Sequence, residues 1–244
     1  MIEVKNASLS FFEKKILNNI NFSIKSGESI AIVGKSGSGK TVLLKSLLRL
    51  LDLDHGEIWI DNEFINNMSF KQLQRLRFKI GMVFQFGALF DSMTVRQNIS
   101  LPLEKLTELN MIEIKERIDS ALLSVGLENT HNMMPAELSG GMKKRVGIAR
   151  AIAMKPNYLF YDEPTTGLDP IMTDNVNKLI KKFQDSEKIT SLVVTHDMRT
   201  VYEVVDRVLM IHDGSVYYDG TPKEIKCQSD PIIQQFISGD STLV

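Results

Sequence analysis

Ser29-Ile30-Ala31-Ile32-Val33-Gly34-Lys35-Ser36-Gly37-Ser38-Gly39-Lys40-Thr41 is the stretch on which the fold turns. Ser29 to Gly34 is apolar without alternation, the pattern of a parallel strand buried on both faces. Gly34 to Thr41 matches G-x-x-x-x-G-K-[ST]. Leu43, Leu44, Leu47, Leu48 and Leu51 then recur at helical spacing, predicting a helix over Lys40 to Leu51. The order strand, loop, helix gives the motif its meaning. Glycines let the loop curl so that successive amides face phosphate oxygens, and the helix start adds its positive dipole end. Lys40 brings a full charge to terminal phosphates, and the Thr41 hydroxyl can ligate Mg²⁺. Lys35, Ser36, Gly37, Ser38, Gly39 and Val42 complete the candidate phosphate-binding segment. A chance match would arise in about one chain per hundred of this length at average composition, and the flanking strand and helix make it rarer.

Outward from this motif, 244 residues with 43% hydrophobic and 24% charged side chains suit one globular domain carrying an insertion. Lysine plus arginine number 29 against 30 aspartate plus glutamate, a net charge of -1 that offers no field for nucleic acid, so no nucleic-acid partner is expected. The single cysteine, Cys227, leaves no intrachain disulfide to form. The start MIEVKNASLSFFEKK lacks the basic and apolar regions of a secretion signal, and the longest apolar runs are strand-sized. The expectation is a cytoplasmic protein whose membrane role, if any, runs through a partner.

Apolar residues at Ile2, Val4, Leu9 and Phe11 predict a half-buried antiparallel strand, with more strand at Ile20 to Ile24. Asp91 to Lys155 reads as inserted helices. Strands return at Tyr158 to Glu163 and Ile189 to Asp197, separated by a helical stretch, the β-α-β rhythm of a parallel sheet. VLMIHDGSVYYDG reads as a hairpin turning at Asp213-Gly214. The expected fold is α/β: a P-loop NTPase mixed sheet with an antiparallel β subdomain and an inserted α-helical subdomain. Within a single domain spanning 1–244, the core occupies 1–90 and 156–244 and the helical subdomain 91–155.

Asp162 and Glu163 close the run YLFYDE and so emerge at the carboxyl edge of a sheet, where such sheets bind ligands. Asp162 is the candidate to hold Mg²⁺ and Glu163 to orient and deprotonate an attacking water, against an ordinary charged strand end. Leu138-Ser139-Gly140-Gly141-Met142 opens a helix with Met142, Val146, Ala149 and Ala153 on one face and Ser139 as N-cap. Its free amides make a second anion site, or simply a well-capped helix. His55, His131 and His212 lack metal-cluster spacing, and Lys143-Lys144-Arg145 reads as a solvated face.

GKSGSGKT, Gln85, LSGGM, YLFYDEP, GLDP and His196, in that order, resemble the ATP-binding cassette (ABC) family along nearly the whole chain. The resemblance implies that ATP is sandwiched in a head-to-tail dimer, between the phosphate loop of one copy and the signature helix of a second. Ser139, Gly140 and Gly141 then contact the γ-phosphate of ATP held by the partner copy. Gln85 resembles the glutamine that senses Mg²⁺ and water, Asp169 the aspartate facing the opposite subunit, and His196 the switch histidine at the γ-phosphate. Met142 departs from the usual glutamine, losing a polar contact. The family's adenine-stacking aromatic is usually a tyrosine before a glycine; Phe11 and Phe12 occupy that region, and Phe12 is taken as the stacking residue, with packing into the core as the alternative.

VFQFGALFDSMTVRQNI, Val83 to Ile99, is similar to the ATPases of Mla-type and Mce-associated lipid transporters. That implies a permease of MlaE type, an MCE-domain protein, often a STAS-domain regulator, a phospholipid cargo and a peripheral place on the cytoplasmic side of the inner membrane. The alternatives are a transporter ATPase for another cargo, such as ribonucleotides or amino acids, and a soluble cassette protein without a permease. Phe86, Leu89, Phe90 and Met93 are candidate anchors for a permease helix, two of them replaceable by a core role. In the tail, Ile232, Ile233, Phe236 and Ile237 share one face of a short helix that packs on its own domain or on a second subunit.

Overall fold

The computed structural model describes residues 1–239, the side chain of Glu187 excepted. In chain order, β1 (Ile2–Phe11), β2 (Lys14–Ile24) and β3 (Ser29–Val33) lead into α1 (Lys40–Leu47), followed by β4 (His55–Ile60) and β5 (Glu63–Phe64). Then come α2 (Phe70–Phe78), β6 (Ile80–Val83), α3 (Val95–Leu106), α4 (Met111–Ser124), α5 (Gly140–Ala153) and β7 (Tyr158–Asp162). The chain continues with α6 (Pro170–Glu187), β8 (Thr190–Val194), α7 (Met198–Val204), β9 (Arg207–His212), β10 (Ser215–Gly220), α8 (Pro222–Lys226) and α9 (Pro231–Ser238).

Two sheets form. An antiparallel one has the order β2-β1-β4-β5, and a larger one runs β10-β9-β3-β8-β7-β6, parallel from β9 to β6 with β10 as its antiparallel edge. Strand alternation divides the apolar residues of the larger sheet between two cores. Ile30, Ile32, Phe160, Leu192 and Leu209 face α1 and the antiparallel sheet, packing with Leu43, Leu47, Leu17 and Ile20. Ala31, Val33, Tyr161, Val193 and Met210 face the other way, into a core shared with α3 to α7. Every residue of β3 is buried, which is why its sequence shows no alternation.

Between β6 and β7 the chain forms α3, α4 and α5, each opened by a side-chain cap. The Thr94 and Asn110 caps are completed by Gln97 and Glu113. Ser139 caps α5, its Oγ accepting from the Met142 amide at 3.3 Å. The hairpin turn at Asp213 and Gly214 has φ 46° and 73°, the positive values of a type I′ turn.

Three differences from the sequence reading have physical causes, and one alternative left open there is decided. Helix α1 stops at Leu47 because Arg49 turns left-handed at φ 48°. Strands β4 to β6 and α2 are short and carry little periodic signal, so the sequence alone does not predict them. The run Lys143 to Arg145 is not a solvated face. Lys144 is 4% exposed, and Arg145 donates to the carbonyls of Val125 and Gly126 at 3.1 and 3.3 Å. One apolar stripe does not reveal this, because α5 packs against α3, α4, α6 and β6 at once. The tail helix α9 packs on its own domain, with Ile233 buried and Ile232, Phe236 and Ile237 half-buried against the shared core. Among the described residues no helix is long and apolar enough to cross a membrane.

Candidate functional site

At the carboxyl end of β3 the chain turns through two glycines that no other residue could replace unchanged. Gly34 has φ 149°, and a β-carbon there would lie 2.3 Å from the Ile211 carbonyl oxygen. Gly39 has φ 103° and would place a β-carbon 2.8 Å from the Ile16 carbonyl oxygen. The loop thus curls tightly over the sheet edge before α1 begins. Lys40, 8% exposed, folds back into this loop and donates to the carbonyls of Gly34 at 2.7 Å and Lys35 at 3.0 Å. Burial pulls its pKa below the usual lysine range, opposed by the charges of Glu163 and Asp162.

Asp162 ends β7, and Glu163 follows with a left-handed φ of 49°. Both backbone polar groups of Glu163 are engaged: its amide donates to Val194 O at 2.8 Å, and its carbonyl accepts from Lys144 Nζ at 3.1 Å. Its carboxylate accepts from Thr166 Oγ1 at 3.0 Å, and His196 Nδ1 stands 3.0 Å from Oε1 and 2.9 Å from Oε2. Burial, then the neighbouring Glu163, pushes the Asp162 pKa up, while Lys45 and Lys40 pull it down. Thr41, Gln85 and Asp162 line the same cleft, an all-oxygen donor set of the kind a hard cation such as Mg²⁺ takes together with substrate phosphates. A half-buried carboxylate beside a second carboxylate is a place where such a cation fits.

The cleft measures about 1020 Å³ and gathers Gly34, Lys35, Ser36, Gly37, Gly39, Lys40, Thr41, Val42, Gln85, Asp162, Glu163 and His196 on its walls. Ser38 does not reach the wall; its buried hydroxyl lies against Gly34. Phe12, expected to stack on adenine, is also absent from the wall. Phe12 is fully exposed in the β1–β2 turn at φ 54°, a conformation that favours glycine, while Phe11 before it lines the cleft. Phe11-Phe12 therefore matches the family's tyrosine-glycine pair in backbone terms, and the signal missed was that register. Gln235 and Phe236 of α9 also line the cleft, which the sequence did not indicate.

Ser139, Gly141 and Asp169 do not join this cleft. They share a separate depression with Arg145, Ile171 and Met172, and Gly140 stands exposed at the helix start beside it. Met172 Sδ presses so closely on Gly141 that a β-carbon there would meet it at 2.9 Å. Asp169 has a local task as well, capping α6 by accepting from the amides of Ile171 and Met172 at 2.9 Å. One chain therefore carries two separate places, the cleft around the loop Gly34 to Thr41 and the depression at the capped start of α5.

The segment joining the sheet to the helices, Gln85 to Met93, is held from beneath. Arg150 donates to the carbonyls of Gly87 and Ala88, both at 2.8 Å. The wholly buried Asn98 accepts from the Phe90 amide at 2.8 Å, and its two Nδ2 hydrogens are shared among the nearby carbonyls of Phe90, Met93 and Thr94. Leu89 and Met93 are half-buried, whereas Phe86 and Phe90 are 77% and 51% exposed. Lys144, Arg150 and Asn98 carry no motif signal in the sequence.

The protein-family model described as ABC transporter matches residues 17–166. This chain belongs to the ABC transporter family. Among relatives of this ABC protein, the intermembrane phospholipid transport system ATP-binding protein MlaF of Haemophilus influenzae is 38% identical over 99% of this chain and 91% of its own. The methionine import ATP-binding protein MetN of Carboxydothermus hydrogenoformans is 40% identical over 98% of this chain and 72% of its own. A dimeric post-hydrolysis structure of the ATP-binding cassette MJ0796 bound to ADP and Pi superposes with a TM-score of 0.83 at 33% identity, covering 91% of this chain and 99% of that one. The fold is thus the ABC ATPase cassette, and the chain is an ABC ATPase.

Proposed function

We propose that this ABC ATPase works as a head-to-tail dimer that drives phospholipid movement through a separate permease of MlaE type, on the cytoplasmic side of the inner membrane. The observation that carries the catalytic reading is the convergence of Lys40, Asp162, Glu163 and His196 on one cleft. The loop amides from Gly34 to Thr41 and the Lys40 ammonium hold the phosphates, and Phe11 stacks on adenine. Thr41, Gln85 and Asp162 would hold Mg²⁺, which when bound neutralises phosphate charge. Glu163 orients a water and takes its proton, and His196 contacts the γ-phosphate. The separation of Ser139, Gly141 and Asp169 from the cleft supports a dimer in which a second copy brings these residues to the γ-phosphate.

The lipid reading is supported by the likeness of Phe84 to Ser92 to the Mla-type ATPases and by the MlaF relative. The MetN relative, equally similar in sequence, favours an amino-acid cargo as the second reading. The exposed Phe86 and Phe90 suit a permease helix as apolar anchors. An MCE-domain protein and a STAS-domain regulator complete the proposed assembly.

The test is to purify the chain from its own membranes with whatever permease accompanies it. The complex is then reconstituted and its ATP hydrolysis measured with added phospholipid or methionine. Phospholipid stimulation together with an MlaE-type permease supports the first reading; methionine stimulation replaces it with the second. Phe86→Ala with Phe90→Ala should keep folding and ATP binding but lose permease association.

A further inference from the structure

We infer that Lys144 is a positioning residue for ATP hydrolysis, holding the main chain of Glu163 from the signature helix through its hydrogen bond to the Glu163 carbonyl. The inference rests on the reading of Glu163 as the residue that activates water.

Three observations carry it. Lys144 is 4% exposed, and the ammonium at its tip is 3.1 Å from the Glu163 carbonyl oxygen. An ammonium is costly to bury, and near the first turn of a helix it also opposes the helix dipole. An apolar side chain of similar length would fill the space at lower cost, so fold stability does not account for a lysine here. Second, Glu163 is held in a left-handed conformation that a non-glycine residue keeps only when its surroundings over-determine it. Val194 O holds its amide, and its carbonyl is held by Lys144 at 3.1 Å and by the Thr166 amide at 3.3 Å. With the main chain fixed from both sides, Thr166 and His196 aim the carboxylate.

Third, the same helix reaches the other arm of the site. Six residues after Lys144, Arg150 holds the carbonyls of Gly87 and Ala88, and Gly147 between them in sequence lies so close that a β-carbon would meet Gly87 Cα at 3.3 Å. Helix α5 therefore begins at the depression containing Ser139, grips the backbone of Glu163 one turn on, and then grips the segment after Gln85.

The experiment compares wild type, Lys144→Met, Lys144→Arg and Glu163→Gln as full-length chains purified with their membrane partner. ATP hydrolysis, ATP affinity and thermal stability are measured for each. Lys144→Met should lower kcat roughly 10- to 100-fold, the scale expected for a misplaced catalytic group, with KM and ATP affinity within about twofold of wild type. Lys144→Arg, which retains a donor, should recover part of that loss. A Lys144→Met kcat equal to wild type overturns the inference. So does a joint loss of kcat, ATP affinity and stability, which marks a structural role, and so does a Lys144→Arg kcat no higher than that of Lys144→Met. Glu163→Gln separates the two layers: if it hydrolyses ATP at the wild-type rate, the reading of Glu163 falls and this inference with it. If it is inactive while Lys144→Met is fully active, only the role of Lys144 falls.

Discussion

Replacing Asn98 by Ala tests whether the segment that displays Phe86 and Phe90 owes its shape to one buried amide. Asn98 is wholly buried in the first turn of α3 and reaches back to the loop before it. It accepts one hydrogen bond, from the Phe90 amide at 2.8 Å. Its Nδ2 lies 3.1, 3.0 and 3.1 Å from the carbonyls of Phe90, Met93 and Thr94, but carries only two hydrogens, so the side chain makes about three bonds in all. At about 1 kcal/mol net for each, the substitution should cost about 3 kcal/mol. For a chain of this size that corresponds to a fall in Tm of roughly 6 to 12 °C. Scanning calorimetry of wild type and variant gives the shift, and hydrolysis stimulated by the permease should fall further than basal hydrolysis because the anchors lose their fixed geometry. A Tm change under about 2 °C with unchanged stimulation would refute the argument and assign the loop's shape to Arg150 and backbone packing instead.

Lys40→Ala should remove most ATP binding, because the phosphates lose the full charge that the loop carries; isothermal titration with ATP checks this, and unchanged affinity counts against the loop assignment. Glu163→Gln preserves the shape that Thr166 and His196 hold, so ATP binding should persist while hydrolysis slows by roughly 10² to 10⁴, or about 3 to 5 kcal/mol of barrier. Size-exclusion chromatography with ATP should then reveal an accumulated dimer. Burial lowers the Lys144 pKa from 10.5 to about 8 in the folded chain. Below about pH 8 both folded and unfolded states carry the charge and its burial penalty is fully present. Between about 8 and 10.5 the folded state releases a proton that the unfolded state keeps, so stability rises with pH. The stability advantage of Lys144→Met over wild type should therefore shrink across that window, by up to roughly 3 kcal/mol, as read by urea unfolding at each pH; a pH-independent difference would exclude the depressed pKa.

The loop that lines the cleft was legible in the sequence wherever it demands a local backbone solution. Gly34 and Gly39 stand at φ 149° and 103° where a side chain would strike Ile211 or Ile16, and such positions announce themselves because few residues can occupy them. The unbroken apolar run of β3 likewise follows from burial on both faces of a parallel sheet. Ser139 was readable as a helix start for the same local reason, since capping is a matter of two or three residues. What only the tertiary structure decided are relations between distant segments. Phe11 rather than Phe12 lines the cleft because the β1–β2 turn puts Phe12 in the left-handed position. Lys144 is buried against Glu163 because α5 is enclosed by three helices and a strand, whereas three consecutive basic residues read alone suggest solvent. Asn98 and Arg150 organise a loop whose own residues carry no trace of them. Local conformational demands are written in residue type, but the partner that a buried polar group finds depends on packing across the chain, and that information exists only once the fold has formed.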